Sequence, residues 1–144
     1  MPTSAEPVQQ WAVDTSVAVA AVDASHSAHH VCRKLVAERR PGLAGHAAFE
    51  TYSVLTRMPG ALAVHSSIAS TMLDRIFPVI HWLSPDAAQQ LLARLGQMGI
   101  VGGAAYDALV GEAARINSCT LLTRDLRAKR TYDLLGVTNE LVGA

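Results

Sequence analysis

Four acidic residues stand where a small α/β domain would bring their carboxylates together. Asp14 closes the apolar run Trp-Ala-Val, and Asp125 closes the run Thr-Leu-Leu-Thr-Arg. Both aspartates are predicted at the carboxyl end of a buried strand, where open parallel sheets bind their ligands. Glu50 and Asp107 lie on amphipathic helical segments, each at the border of the apolar stripe. The sequence therefore predicts a cluster of four carboxylates.

A cluster of like charges is unfavourable unless a cation neutralises it. Carboxylate oxygens are suited to Mg²⁺ or Mn²⁺, and ions held in this way assist the hydrolysis of phosphate esters by activating water. Taken singly, the residues have ordinary interpretations as well: Asp14 as a helix N-cap, Asp107 as an acid that opposes a helix dipole. It is the combination of two strand-end aspartates with two acids at stripe borders that favours metal-assisted phosphate chemistry, with one or two ions.

The composition indicates one soluble domain. The chain has 144 residues, of which 50% are hydrophobic and 17% charged, and its 12 basic and 12 acidic side chains cancel. A neutral chain is not a general binder of polyanions, so any contact with nucleic acid must come from a local patch. The two cysteines, Cys32 and Cys119, match no metal-binding spacing and are expected to be buried thiols of a reducing compartment. Without a secretory signal or a membrane span, the expected location is the cytoplasm.

The elements that must position the acids alternate between strand and helix. This alternation predicts a central parallel sheet of four to five strands flanked by helices. The predicted strands cover 11–14, 43–45, 78–83 and 120–123, with a weak last strand at 137–142. The predicted helices cover 15–22, 27–39, 46–58, 65–76, 84–96, 104–117 and 126–135. Residues 1–9 are interpreted as a loose N-terminal tail and 10–144 as a single domain.

Two helical stripes flank Glu50 and Asp107. The first is formed by Ala47, Ala48, Thr51, Val54, Leu55 and Met58, and the second by Tyr106, Leu109, Val110, Ala113 and Ala114. A carboxylate at the border of such a stripe is anchored by the core and still reaches a cleft. Each stripe is expected to pack against the interior of the domain.

Four segments in order resemble the successive motifs of PIN domains, and more closely those of VapC toxins. They are Val13-Asp14-Thr15-Ser16, Phe49-Glu50-Thr51 through Leu55-Thr56-Arg57-Met58-Pro59, Tyr106-Asp107-Ala108-Leu109 and Leu122-Thr123-Arg124-Asp125. The resemblance extends from Trp11 to about Val142. It implies a single PIN-like α/β domain that acts as a metal-dependent ribonuclease and as the toxin of a toxin–antitoxin pair.

The resemblance also implies roles for particular residues and partners. Asp14, Glu50, Asp107 and Asp125 would be the catalytic and metal-binding acids, with Mg²⁺ or Mn²⁺ as the cofactor. Thr15 and Thr123 would be hydroxyl neighbours that orient ligands or water. The expected partners are an RNA substrate, a VapB-type antitoxin that inhibits the protein, and a second copy in a homodimer. No membrane is expected among them.

A basic stretch follows the last acid. It consists of Arg124, Arg127, Lys129 and Arg130. Two interpretations stay open: a solvated helix face, or a surface that holds the RNA backbone.

Other candidates receive less weight. His26, His29 and His30 have helical spacing but no adjacent acid or thiolate, so a solvated face is favoured over a metal site. Cys32 is expected to be a packed thiol. A phosphatase with Asp14 as nucleophile would need a second acid two residues on, where Ser16 stands. The remaining alternative is a catalytically silent PIN-fold module that binds RNA or protein.

Overall fold

The chain folds around a four-stranded parallel sheet with helices packed on it. The computed structural model describes residues 8–60 and 63–143. The strands are β1 (Gln10–Val13), β2 (Gly42–Leu43), β3 (Cys119–Thr123) and β4 (Asn139–Leu141). The helices are α1 (Thr15–Val22), α2 (His29–Arg39), α3 (Ala47–Thr56), α4 (Ser66–Ile76), α5 (Pro85–Leu95), α6 (Ala104–Ile116) and α7 (Leu126–Leu135). The predicted α/β class and parallel sheet are confirmed.

The two strands that precede the aspartates are neighbours at the centre of the sheet. The strand order is β2-β1-β3-β4, with all pairs parallel. All five residues of β3 are buried, as are the last two of β1. Val13 is in register with Leu122, and the backbone N–H of Asp14 donates to the carbonyl of Leu122 at 3.2 Å. Asp14 and Asp125 therefore leave the sheet at the same edge.

The strand predicted at 78–83 is wrong. Within the described residues, this segment makes one isolated parallel bridge, between Ile80 and Leu43. The bridge consists of Leu43 donating to Val79 at 3.0 Å and His81 donating to Leu43 at 2.8 Å. Pairing stops there because β2 has only two residues. After them the chain turns away at Gly45, whose φ of +48° lies in the left-handed region that favours glycine.

Local capping signals placed the helix ends well. Ser84 accepts a hydrogen bond from the N–H of Ala87 at 3.2 Å, with Pro85 as the first residue of α5. Gly136 ends α7 in the left-handed conformation, as predicted. Asp14 and Asp125 are the N-caps of α1 and α7. The capping role considered for Asp14 is thus confirmed, and Asp125 has the same role at α7, which the sequence analysis did not predict.

The stripe predicted for α3 is confirmed at its centre, and the stripe predicted for α6 is partly wrong. In α3, Ala47, Thr51 and Leu55 are buried. In α6, Tyr106 is 55% exposed instead of packed in the core. Glu112, which the predicted stripe did not include, is buried. Arg94 and Arg115 each donate to its carboxylate at 2.6 Å and offset its charge.

Both cysteines, Cys32 and Cys119, are buried free thiols, as predicted. Burial raises the pKa of both thiols. No helix in the described residues is long and apolar enough to cross a membrane.

Residues 1–7 of the predicted tail, and Ala144, lie outside the described residues. Gln9 donates a side-chain hydrogen bond to Thr120 at 2.6 Å, so the last residue of that predicted tail is attached to β3.

Candidate active site

The structure brings the four predicted acids to one cavity of about 240 Å³. Asp14 comes from the junction of β1 and α1, Glu50 from α3, Asp107 from the first turn of α6, and Asp125 from the N-cap of α7. The remaining lining residues are Thr15, Ser16, Val110, Ala128 and Tyr132. Acids that are far apart in sequence thus share one space at the carboxyl edge of the sheet.

Asp14 is the most constrained of the four acids, since its side chain is 3% exposed. Its Oδ2 accepts hydrogen bonds from Thr123 Oγ1 at 2.5 Å and from the Tyr132 hydroxyl at 2.9 Å. Its Oδ1 accepts from Ser16 Oγ at 2.5 Å and from the N–H of Val17 at 3.3 Å. Burial raises the pKa of Asp14, and these donors oppose the rise. The carboxylate is therefore held in one orientation by four hydrogen bonds.

The half-buried acids of the cavity respond to one another. The pKa of Asp107 is raised to about 6, first by burial and then by the nearby charges of Asp125, Glu50 and Asp14, against an opposing effect of Arg127. Burial also raises the pKa of Glu50, and His46, 4.0 Å away, opposes this rise. Burial is the largest cause of both shifts, and the neighbouring carboxylates add to it.

Oxygen donors of this kind fit a divalent cation of the Mg²⁺ or Mn²⁺ type. Thr15 Oγ1, which belongs to a residue of the cavity lining, is buried and has no hydrogen-bond partner among the described residues. In those residues, no three side chains of His, Cys, Asp or Glu are close enough together to hold an ion as they are placed. The fit is thus one of donor chemistry and location.

Thr123 connects two of the acids, and its predicted role in orienting ligands stays a prediction. Its hydroxyl donates to Asp14 and accepts from the N–H of Asp125 at 3.1 Å. Sequence reasoning missed Ser16 and Tyr132, which also hold Asp14. Ser16 follows the aspartate by two residues, a spacing typical of hydroxyls near an N-cap. Tyr132 lies four residues after Ala128 on the buried face of α7, a pattern that indicates burial and gives no sign of a hydrogen bond to Asp14.

The basic stretch divides into separate groups. Arg127 and Arg130 line a groove of about 530 Å³ that also includes Asp107 and Asp125. Lys129 instead contacts the carboxylate of Asp133 at 3.3 Å and donates to the side-chain oxygen of Asn139 at 2.9 Å.

Arg124 lies apart from that groove. Its backbone N–H donates to Ser16 Oγ at 2.8 Å, and its Nε is buried without a hydrogen-bond partner in the described residues. The structure thus brings two of the four basic residues next to the acids.

Two of the three histidines at helical spacing make hydrogen bonds with the backbone. His26 Nδ1 accepts from the N–H of Ala28 at 3.0 Å, and His29 Nδ1 donates to the carbonyl of Ala20 at 2.8 Å. His30 is exposed. Two of these imidazoles therefore have structural roles, in the loop before α2 and between α2 and α1.

Comparison with known proteins assigns the fold and the family. The PIN domain family model matches residues 12–134. Ribonuclease VapC27 of Mycobacterium tuberculosis (strain ATCC 25618 / H37Rv) is 44% identical over 126 residues, which cover 88% of this chain and 92% of that protein. The chain therefore belongs to the PIN domain family. Within the family it is similar to VapC proteins over most of its length, which confirms the resemblance inferred from the motifs.

Solved structures agree on the fold. The crystal structure of Mycobacterium tuberculosis VapC20, a sarcin-ricin loop cleaving toxin, matches with a TM-score of 0.66 and 21% identity, over 84% of this chain and 94% of that one. VapBC2 from Rickettsia felis, bound to a DNA fragment from its promoter, matches with a TM-score of 0.59 and 18% identity, over 93% and 99%. At these identities the matches establish the PIN-like architecture alone.

Proposed function

We propose that this protein is a metal-dependent endoribonuclease and the toxin of a toxin–antitoxin pair. The observation that carries the proposal is the cavity itself: carboxylates from four separate elements line it, in a chain 44% identical to ribonuclease VapC27. Such a group suits phosphodiester hydrolysis, in which negative charge on the phosphate must be balanced close to the reacting atoms.

In this proposal, Asp14 and Asp107 bind Mg²⁺ or Mn²⁺ directly, and Glu50 and Asp125 complete the site directly or through water. A cation held by these residues would supply an activated water and balance charge on the leaving oxygen. Asp14 provides a fixed point because four hydrogen bonds hold it. Asp107, whose pKa burial and the neighbouring acids raise to about 6, would hold the cation in its ionised form.

The arginines beside the cavity supply a surface for RNA. Arg127 and Arg130 lie in the groove that shares Asp107 and Asp125 with the acid site. Guanidinium groups bind phosphate oxygens through paired hydrogen bonds. We therefore assign these two residues to the RNA backbone next to the cleaved phosphate, and leave Lys129 out of this role.

A groove along α4 offers a surface for an antitoxin. Two adjoining cavities of about 550 and 380 Å³ share Arg75 and Ile76 and have no acid in their lining. Arg33, Arg40 and Arg75 surround the apolar lining, and none of the three forms an ion pair within the described residues. This surface fits a segment that carries apolar and acidic side chains.

Purification from the native host should recover the chain with such a partner, in an assembly that contains two copies of the toxin. Recovery of an active, partner-free protein from healthy cells contradicts the toxin role and leaves the nuclease proposal intact.

The alternatives are disfavoured by specific contacts. For an aspartyl phosphatase, the expected nucleophile Asp14 is already bound by four donors, and Ser16 stands where a second acid is needed. A catalytically silent module has no need for four acids in a common cavity, where burial and then repulsion from the other acids raise the pKa of Asp107.

Cleavage of a labelled single-stranded RNA by the purified chain tests the proposal. We expect cleavage with Mg²⁺ or Mn²⁺, loss of it with a chelator, and recovery when the ion is restored. Asp14→Asn and Asp107→Asn should reduce the rate at least ~100-fold, since each removes a metal ligand. Asp86→Asn, at an exposed acid of α5, is the matched control and should retain full activity. Wild-type rates in both site variants, or cleavage in the chelator, contradict the proposal.

A further inference from the structure

Exposed aromatic side chains gather on one face of the protein. Phe49, Trp82 and Tyr106 are 64%, 51% and 55% exposed, whereas the other Phe, Trp and Tyr side chains of the described residues are buried or half-buried. Large exposed rings lose favourable burial, so their gathering on one face marks an interaction site. With His46, these three residues form what we call the aromatic face.

The rings of the aromatic face form two pairs. His46 and Tyr106 stack with centroids 5.3 Å apart and planes 17° from parallel. Phe49 and Trp82 lie with centroids 5.8 Å apart at an interplanar angle of 54°. The side-chain amide of Asn117 donates to the carbonyl of Trp82 at 3.4 Å, which helps to fix the backbone that presents this ring. The pairs join α3, α6 and the segment before α5 into one surface.

The aromatic face adjoins the acid cavity. His46 Nε2 lies 4.0 Å from Glu50 Oε1, and Tyr106 immediately precedes Asp107. His46, Phe49 and Trp82 also line a separate cavity of about 180 Å³, whose remaining lining residues are Gly45, Leu83, Leu109 and Ala113. No carboxylate, Lys or Arg lines it. A ring-lined space without a carboxylate, lysine or arginine therefore lies one helical turn from one of the site acids.

We propose that this cavity binds an unpaired base of single-stranded RNA, next to the phosphate that is cleaved, by stacking on Phe49 and Trp82. The inference rests on the proposed ribonuclease function and adds the position that receives the base. Sequence-dependent recognition of RNA uses splayed bases stacked on aromatic side chains. An uncharged base also suffers no repulsion from carboxylates, whereas a phosphate does.

The size of the cavity suits a single base. A volume of about 180 Å³ has room for one planar ring. The groove lined by Arg127 and Arg130 includes Asp107 and Asp125. The aromatic face approaches a different acid, because its His46 lies 4.0 Å from Glu50. An RNA strand with one phosphate over the acids would therefore meet arginines beside Asp107 and Asp125, and aromatic rings beside Glu50.

The test measures RNA binding in a chelator, so that cleavage plays no part. The probe is a fluorescent 2′-O-methyl octanucleotide of mixed sequence, followed by anisotropy. Phe49→Leu and Trp82→Leu keep apolar volume and remove the ring, and each should raise Kd about tenfold, in line with the usual contribution of base stacking. Trp82→Phe keeps a ring and should restore most of the affinity. Leu92→Ala, at a 71% exposed position of α5, is the control and should bind as the wild type does.

A second readout follows Trp82 itself. In a Trp11→Phe background, where Trp82 is the one remaining tryptophan, adenosine without phosphate should quench its fluorescence. Wild-type Kd values in both leucine variants, or no binding by the wild type, overturn the inference. So does dissociation of an oligomer in the leucine variants, seen by sedimentation, since a second copy of the chain would then cover the face. Binding with these losses but without metal-dependent cleavage contradicts the proposed function and supports the base site.

Discussion

At the scale of single residues, Asp14 and Asp107 have opposite environments. The carboxylate of Asp14 is held by Ser16, Val17, Thr123 and Tyr132, whereas Asp107 makes no hydrogen bond through its side chain within the described residues and is exposed to the charges of the other acids. A rigid ligand beside a movable one suits a site whose acids converge on a cation only when it binds. We therefore predict that Asp14 holds a fixed position in the site and that Asp107 changes its position or charge when a cation binds.

The sequence located the acids and missed the donors around Asp14. The strand-end rule places Asp14 and Asp125 from local pattern alone, because parallel strands end at one edge. The hydroxyl of Tyr132 reaches Asp14 only through the packing of α7 beside the sheet, a contact 118 positions apart in sequence. No local pattern encodes such a distance.

The pH dependence of stability tests the charge repulsion at Asp107. Its pKa is raised from 3.8 to about 6 in the folded protein, so the folded state binds this proton more tightly than the unfolded chain does. The resulting stabilisation is fully present below about pH 3.8 and is lost as the pH rises through about 6. In the metal-free protein, urea unfolding from pH 4.5 to 7.5 should show stability that falls faster in the wild type than in Asp107→Asn.

The control for this measurement is Gln89→Ala, at an exposed residue of α5 that does not titrate; its curve should run parallel to that of the wild type. Parallel curves for Asp107→Asn and the wild type would show that the Asp107 carboxyl is not perturbed by its neighbours. A saturating divalent cation should flatten the wild-type curve, because ionised carboxylates are then paired.

At the scale of elements, the site depends on how α6 packs against α7. Gly111 of α6 lies against Tyr132 and Leu135, and a Cβ there would come within 2.9 Å and 2.7 Å of their side chains. Caps and hydrophobic periodicity predicted both helices but not this contact. Tyr106 and Glu112 were predicted wrongly for the same reason. A helical stripe predicts which residues face a neighbouring element, but the burial of Glu112 depends on its ion pairs with Arg94 and Arg115, one of which lies on another helix.

Gly111→Ala should therefore disturb stability and site together. We expect a loss of about 1–3 kcal/mol in the free energy of unfolding from overpacking, with weaker metal binding because Tyr132 moves relative to Asp14. The matched control is Gly96→Ala at the end of α5, where an added Cβ meets nothing within 4 Å and the backbone is α-helical. That variant should be neutral or slightly more stable. Equal unfolding curves for the two alanine variants would show that the α6–α7 contact is not tight.

The two faces of α7 give a second prediction at this scale. Arg127 and Arg130 border the acids, whereas Lys129 contacts Asp133 and Asn139. The double variant Arg127→Gln, Arg130→Gln should weaken RNA binding and reduce the slope of log K against log salt by about 1.4, as expected for two lost contacts to a single strand. Lys129→Gln should leave the slope unchanged. Equal slopes in the wild type and the double variant would mean that these arginines are a solvated face.

At the scale of the whole molecule, a net charge of zero conceals a strong separation of charge. Four of the twelve acids line one cavity, and arginines border it on one side and line the α4 groove elsewhere. The composition argues against a general polyanion binder, and these local patches are where a contact with RNA is predicted. The homodimer and the domain limits at residues 9 and 10 stay predictions, since the fold of one chain tests neither.

Binding of Mn²⁺ measured by isothermal titration calorimetry tests the central claim most directly, because it examines the four carboxylates as one site without requiring a substrate. At pH 7.5, above the raised pKa of Asp107, the wild type should bind Mn²⁺. Asp107→Asn, which removes no observed side-chain hydrogen bond, should weaken binding about tenfold or more, and Asp14→Asn, Glu50→Gln and Asp125→Asn should each weaken it as well. Asp86→Asn should bind as the wild type does. Wild-type affinity in both Asp14→Asn and Asp107→Asn would contradict the account.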